Sequence, residues 1–266
     1  MKIHWRPLLG VVVAIAVTTT MDATGLSDFS ALPLLPLMLL FWYLQSLSRS
    51  EIGFKWGSRG HHLLAMLHPL LVLGAVALIS LMAGVVDTSQ AQWGKAALNI
   101  LIISLSTVLV GMITEEGFFR GWLWASLHRE GMHESRIVIW TSVAFSLWHW
   151  SSITLDTGFS APLRQVPTFL LNAAMLGAIW GMLRWLSGSI VVASVAHGLW
   201  NGLAYTLFGF GSRKGALGIT DTAVFSPEVG VLGLGLNIIF AGALWLLCMR
   251  QPAPRTSGPI PDAAHR

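Results

Sequence analysis

Residues 107–124, TVLVGMITEEGFFRGWLW, place Glu115, Glu116 and Arg120 within an apolar run long enough to lie inside a bilayer. A carboxylate at membrane depth costs about 3 kcal/mol even on insertion scales, so two adjacent ones must face protein or a wet cavity. On a helix Glu116 and Arg120 lie four residues apart on one face and can pair, whereas Glu115 points about 100° away. One acid is neutralised locally and the other is left open. A structural ion pair with a spare acid near the membrane surface would leave the same pattern, so the rest of the chain must decide.

That chain is membrane-like throughout. Of its 266 residues, 54% are hydrophobic and only 11% charged, with a mean hydropathy of +0.68, against about a quarter charged in soluble domains. One cysteine, Cys248, excludes an internal disulfide and any multi-cysteine metal or redox centre. The pI is near 9.7, but Lys and Arg are scattered singly and form no basic face interleaved with aromatics, so no nucleic-acid partner is expected.

Apolar segments at about 7–24, 31–47, 63–86, 96–118, 136–155, 166–187, 189–208 and 229–249 predict an all-α polytopic protein of about eight membrane helices. The first, preceded by Lys2 and Arg6 and followed by a threonine run, also fits a signal peptide. With eight spans, twelve of the sixteen Lys and Arg fall on the side of the termini, Arg120 and Arg184 counted among them. This bias predicts both termini in the cytoplasm. One transmembrane domain over 1–250 is expected, with a polar, proline-bearing tail over 251–266 that reads as disordered. Ser48 to His62 reads as an interfacial segment. His61, His62 and His68 read as interface histidines, and the thirteen tryptophans as aromatic belts.

Two further motifs share one spacing. Phe145-Ser-Leu-Trp-His149 lies in the fifth span and His197-Gly-Leu-Trp-Asn201 in the seventh. At i, i+4 His197 and Asn201 project from one helix face, two neighbouring donors in a medium that otherwise offers none. Such a pair suits an oxyanion, and His149 suits orienting a water for Glu115 as general base.

Taken together, Glu115-Glu116-x-x-x-Arg120, Phe145-x-x-x-His149 and His197-x-x-x-Asn201 resemble, in order, the three motifs of the CAAX protease and bacteriocin-processing family of intramembrane endopeptidases. The resemblance covers about 96–208. It implies a helical bundle around a polar intramembrane cavity, with Glu115 and His149 activating a water and His197 and Asn201 stabilising the oxyanion. Glu116, Arg120 and Phe145 become supporting residues. It also implies a membrane-anchored protein or peptide as substrate. In a compact chain that looks like a bacterial member, this means peptide maturation, bacteriocin self-protection or trimming of sorting signals at the inner membrane. No cofactor is preferred. Zinc remains open, since Glu115, His149 and His197 could supply three ligands with water as the fourth, although no H-E-x-x-H occurs.

A non-catalytic immunity or scaffold protein would share this fold, and a secondary transporter would also carry intramembrane charge. The apolar pattern lacks the repeated halves that a transporter favours. Beside the motifs, Gly117/Gly121, Ser142/Ser146 and Gly198/Gly202 form small-x-x-x-small pairs that predict close helix approach, while Gly10 is expected to lie far from them.

Overall fold

Serine and glycine punctuate the chain at the helix ends. Ser58 and Ser189 accept the backbone N–H groups of His61 and Val192 (both 3.3 Å) at the starts of two spans, and Ser48 with Glu51 forms a reciprocal capping box. Gly53 (φ 88°) and Gly188 (φ 65°) end helices in the left-handed conformation that a β-carbon disfavours. The computed structural model describes residues 5–155, 162–211 and 213–250; the predicted tail over 251–266 lies outside them.

Helix α1 is Trp5–Ala23, α2 Leu34–Leu44, α3 Arg49–Ile52 and α4 Arg59–Met82. Next, α5 (Trp93–Ser106) and α6 (Trp124–Arg129) are the ends of one long rod carrying two π-helical turns, Thr107–Gly111 and Gly117–Leu123. Then come α7 (Glu134–Trp148), α8 (Trp150–Thr154), α9 (Val166–Ser187) and α10 (Ile190–Leu203), the last running into a third π turn, Ala204–Phe208. A two-residue hairpin, β1 (Gly209–Phe210) with β2 (Arg213–Lys214), and the short α11 (Thr222–Phe225) precede α12 (Val231–Met249).

Among the described residues seven helices are long and apolar enough to cross a membrane. The expected eighth span, 136–155, is the exception. It breaks at His149 into α7 and α8, because the His149 ring takes the Phe145 carbonyl (2.9 Å) and Ser152 takes that of His149 (2.8 Å). The fold is an all-α polytopic membrane protein. Its exposed leucines and isoleucines, such as Leu70, Leu71 and Leu78 on α4 and Ile239 and Leu246 on α12, are the lipid face.

Helix α10 packs against α4, α5, α9 and the first π turn. A β-carbon at Gly198 would stand 2.6 Å from the Ser104 carbonyl oxygen, and one at Gly202 2.7 Å from that of Ile100, so only glycine lets α10 and α5 meet this closely. On α9, Gly177 gives the same freedom, with a β-carbon 3.1 Å from Ser142 Cα on α7. Two expectations need correction. Gly10 packs directly on the Trp122 ring of the second π turn, so it is not remote from the motif helix. Arg120 is wholly buried in the rod and Arg184 nearly so, and Arg120 does not count as a loop charge in the topological asymmetry.

Candidate active site

The long rod carries the two acids between its two π turns. A π turn widens the helix and displaces a carbonyl from its ladder, a cost found often at functional sites. Here the Arg120 carbonyl accepts from Arg184 Nε at 3.1 Å, so the widened turn leaves no orphan there. Arg184 Nη2 also donates to the Glu51 carbonyl (2.8 Å), fastening α9 and α3 to the rod.

Glu116 and Arg120 are both fully buried, with Nη1 donating to Oε1 at 3.2 Å. Arg120 Nη2 reaches the Gly177 carbonyl on α9 at 3.1 Å. Its guanidinium lies 4.3 Å over the Phe145 ring and 5.4 Å over Trp180, so aromatic faces help carry the buried cation. Phe145 has a structural part on both sides, because its ring also meets His149 edge-on at 4.4 Å. Ser146 donates to the Leu170 carbonyl (2.7 Å), so the second small pair fixes α7 to α9 by a hydrogen bond as well as by size.

Glu116 has a second ligand that spacing alone does not reveal. His197 Nδ1 lies 3.1 Å from Glu116 Oε1, and a carboxylate oxygen can only accept, so Nδ1 carries the proton. The other ring nitrogen, Nε2, then faces Glu115 Oε2 at 4.0 Å. Trp180 stacks on the same ring at 4.0 Å and 18°. One histidine thus stands between the two acids, oriented by the buried one and presented to the open one. Glu115 is 16% exposed where Glu116 is 0%, and Glu115 is the acid that reaches the cavity. The same reasoning fixes His149: a carbonyl on Nδ1 requires N–H there, leaving the Nε2 lone pair free.

Glu115, His149, His197 and Asn201 line one cavity of about 190 Å³, with Phe145 and Trp180 among its apolar walls. Asn201 makes no side-chain hydrogen bond among the described residues. The cavity lies toward the end of the bundle where α1, α7 and α10 finish and α2, α9 and α12 begin, opposite Trp5 and Met249. Helix α1 is part of its wall: Trp148 Nε1 donates to Thr18 Oγ1 at 2.7 Å, and Thr18 to the Ser30 carbonyl at 3.2 Å. Among the described residues no three His, Cys, Asp or Glu side chains converge as a metal-holding group.

Further polar residues reach this cavity without belonging to the motifs. His68, expected at the interface, is fully buried and hydrogen-bonds Asn237 (3.0 Å), and Asn237 in turn bonds Asn172 (2.8 Å). Asn172 and Glu228 line the cavity. His61 and His62 do stay near the start of α4, bonded to the Ser58 hydroxyl (3.0 Å) and the Trp56 carbonyl (2.9 Å).

Fold and site together define a multi-pass membrane protein with an acid–histidine cluster buried inside its bundle. Residues 97–203, which contain all three motifs, match the model of the family described as type II CAAX prenyl endopeptidase Rce1-like, a family of proteases. This is the family that the motifs resemble, and the match is to that segment of the chain. No curated protein matches the chain.

Proposed function

We propose that this protein is an intramembrane endopeptidase that hydrolyses a peptide bond in a membrane-tethered protein or peptide, with Glu115 as general base and no bound metal. The observation that carries the reading is the meeting of Glu115, His149, His197 and Asn201, from three separate helical segments, on one intramembrane cavity. Water held between Glu115 and the His149 Nε2 lone pair gives a proton to Glu115, and its oxygen attacks the carbonyl carbon. As the tetrahedral intermediate collapses, the C–N bond breaks and Glu115 returns the proton to the leaving nitrogen.

The developing oxyanion needs donors. The Asn201 amide offers N–H groups, and His197 offers one if Nε2 is protonated as well as Nδ1. Such an imidazolium, with Arg120, balances the charges of Glu115 and Glu116 and lies against the Trp180 face, which suits a cation. Asn201 beside His197 on one helix face suits a donor pair better than a metal shell, which favours this chemistry over a zinc-bound water.

The bilayer is the partner that the spans require, and a substrate anchored in it arrives at the depth of the site. The compact chain with short loops suits a bacterial cell membrane, and the charge bias of the loops supports both termini on the cytoplasmic side, which opens the cavity toward the far side. To test the reading, the purified protein in liposomes is incubated with membrane-anchored peptides and the fragments are identified by mass spectrometry. Wild type should cut and Glu115→Gln should not. Elemental analysis should find no stoichiometric zinc, and prolonged chelation should leave cleavage intact. A binding protein without chemistry would hold the peptides and release them whole.

A further inference from the structure

Glu228 sits in the loop before α12, outside every motif, yet it faces the same cavity as Glu115 and His149. It is held there by a built arrangement. Trp200 Nε1, fully buried on α10, donates to Glu228 Oε1 at 3.2 Å. The loop backbone is held separately: Asn172 Nδ2 donates to the carbonyls of Pro227 (2.8 Å) and Glu228 (3.3 Å). Behind Asn172 the donors run in one direction, from His68 Nε2 to Asn237 Oδ1 and from Asn237 Nδ2 to Asn172 Oδ1. His68, Asn172 and Asn237 are 0–1% exposed, and His68 stacks on Trp200 at 5.2 Å and 5°. A β-carbon at Gly233 would stand 2.6 Å from Pro227 Cα, so α12 presses directly on the loop. Three buried polar side chains from three spans therefore serve to fix one loop carboxylate. Inside a membrane, polar groups are costly and mark function by default.

The carboxylate itself faces the cavity. The α10 group that holds it is a neutral indole N–H, and among the described residues no Lys or Arg forms an ion pair with it. The described residues lining the cavity include no Lys or Arg, and Asp28 on the exposed rim adds charge of the same sign. With Arg120 and the His197 ring set against Glu115 and Glu116, the described lining residues leave no Lys or Arg for Glu228, and Phe169 and Trp148 supply apolar wall to the same cavity.

We propose that Glu228 is a specificity-determining residue that takes a lysine or arginine side chain of the substrate near the scissile bond. The inference rests on the peptidase reading of the cavity and names the class of peptide it accepts. The alkyl stem lies along the aromatic wall while the charged head reaches the carboxylate, as such side chains do at mixed surfaces. A substrate with no basic residue near the cut is bound poorly, because its approach leaves Glu228 without a counter-charge.

The test compares membrane-anchored peptides that carry lysine or acetyl-lysine at successive positions around the scissile bond, so that charge is removed and the stem kept. With chelator present throughout, both cleavage (kcat/KM) and binding (fluorescence anisotropy) are read for wild type, Glu228→Gln and Asp87→Asn. At one position wild type and Asp87→Asn should prefer lysine about 10- to 100-fold, the range of a hydrogen-bonded charge pair. In Glu228→Gln that ratio should fall to near unity. A preference kept in Glu228→Gln, its absence from wild type at every position, or an equal loss in Asp87→Asn overturns the proposal. If wild type cuts no peptide, the peptidase reading fails instead, and the binding ratio alone still decides whether Glu228 selects a basic side chain.

Discussion

The two acids of the motif helix differ in what they touch, and that difference sets what each substitution does. Glu115 faces the cavity and one histidine nitrogen, so Glu115→Ala should keep the fold and lose the roughly 10²- to 10⁴-fold contribution of a general base. Glu116 is shared by Arg120 (3.2 Å) and His197 (3.1 Å) inside the bundle. Glu116→Ala leaves Arg120 without its carboxylate and releases the His197 ring, so melting in detergent should show a loss of about 3 kcal/mol or more, with turnover falling as well. Equal melting of the two variants would contradict this division. The Glu116–Arg120 contact was legible from i, i+4 spacing. The Glu116–His197 contact was not, because it joins helices 81 residues apart and no local rule brings them together. The buried run His68, Asn237 and Asn172 did leave a signal, each being polar within an apolar span, but the position of His68 near a span start resembled an interface. Glu228 left none, since nothing in a loop sequence tells which residue turns inward.

At the scale of elements, the glycines that let α10 approach α5 act on the site through distance. Oxyanion donors work within about 3 Å, and a shift near 1 Å costs on the order of 10²-fold in rate. Gly198→Leu or Gly202→Leu would force α10 away from Ser104 and Ile100 and carry His197 and Asn201 with it. Cleavage should drop strongly in both, while Gly242→Leu, on the open face of α12, should behave as wild type. Gly10→Leu should also be harmful, because it meets Trp122. The small-residue spacing announced a close approach by α10 but not that α5 would be its partner, and the π turn at Arg120 depends on a tertiary carbonyl partner, Arg184, that periodicity does not encode. A second element-level device joins α3 to α6. Glu51 receives Arg129 Nε at 2.5 Å and Nη2 at 2.9 Å, and hydrogen bonding from Arg129 holds its pKa down, from 4.5 to about 2. A lowered pKa adds stability above the unfolded value, and that stability is lost as pH falls from 4.5 toward 2. Both side chains are a third or more exposed, so the amount is at most about 1 kcal/mol. Melting of wild type and Glu51→Gln should differ by that much at neutral pH and converge as pH approaches 2.

For the molecule as a whole, α1 begins and α12 ends at one end of the bundle and the cavity lies toward the other. Loop charges then predict which end meets the cytoplasm. With Cys248 buried, Asp28→Cys should react with a membrane-impermeant thiol reagent in intact cells, and Ser50→Cys only after permeabilisation. The reverse pattern would invert the proposed orientation. Composition and apolar runs were enough to read a polytopic bundle, because every span must satisfy its own backbone in lipid. What they did not convey is that α1 forms a wall of the cavity, which depends on the long-range contact from Trp148 to Thr18. The central claim is that this cavity adds water to a peptide bond through Glu115. The most direct measurement is cleavage of a membrane-anchored peptide by wild type and Glu115→Gln in heavy-oxygen water, with the fragments weighed by mass spectrometry. The account predicts one solvent oxygen in the new carboxyl group with wild type and no new carboxyl group with Glu115→Gln. The same labelled fragments appearing at the same rate with Glu115→Gln, or wild type leaving every peptide whole, would contradict it.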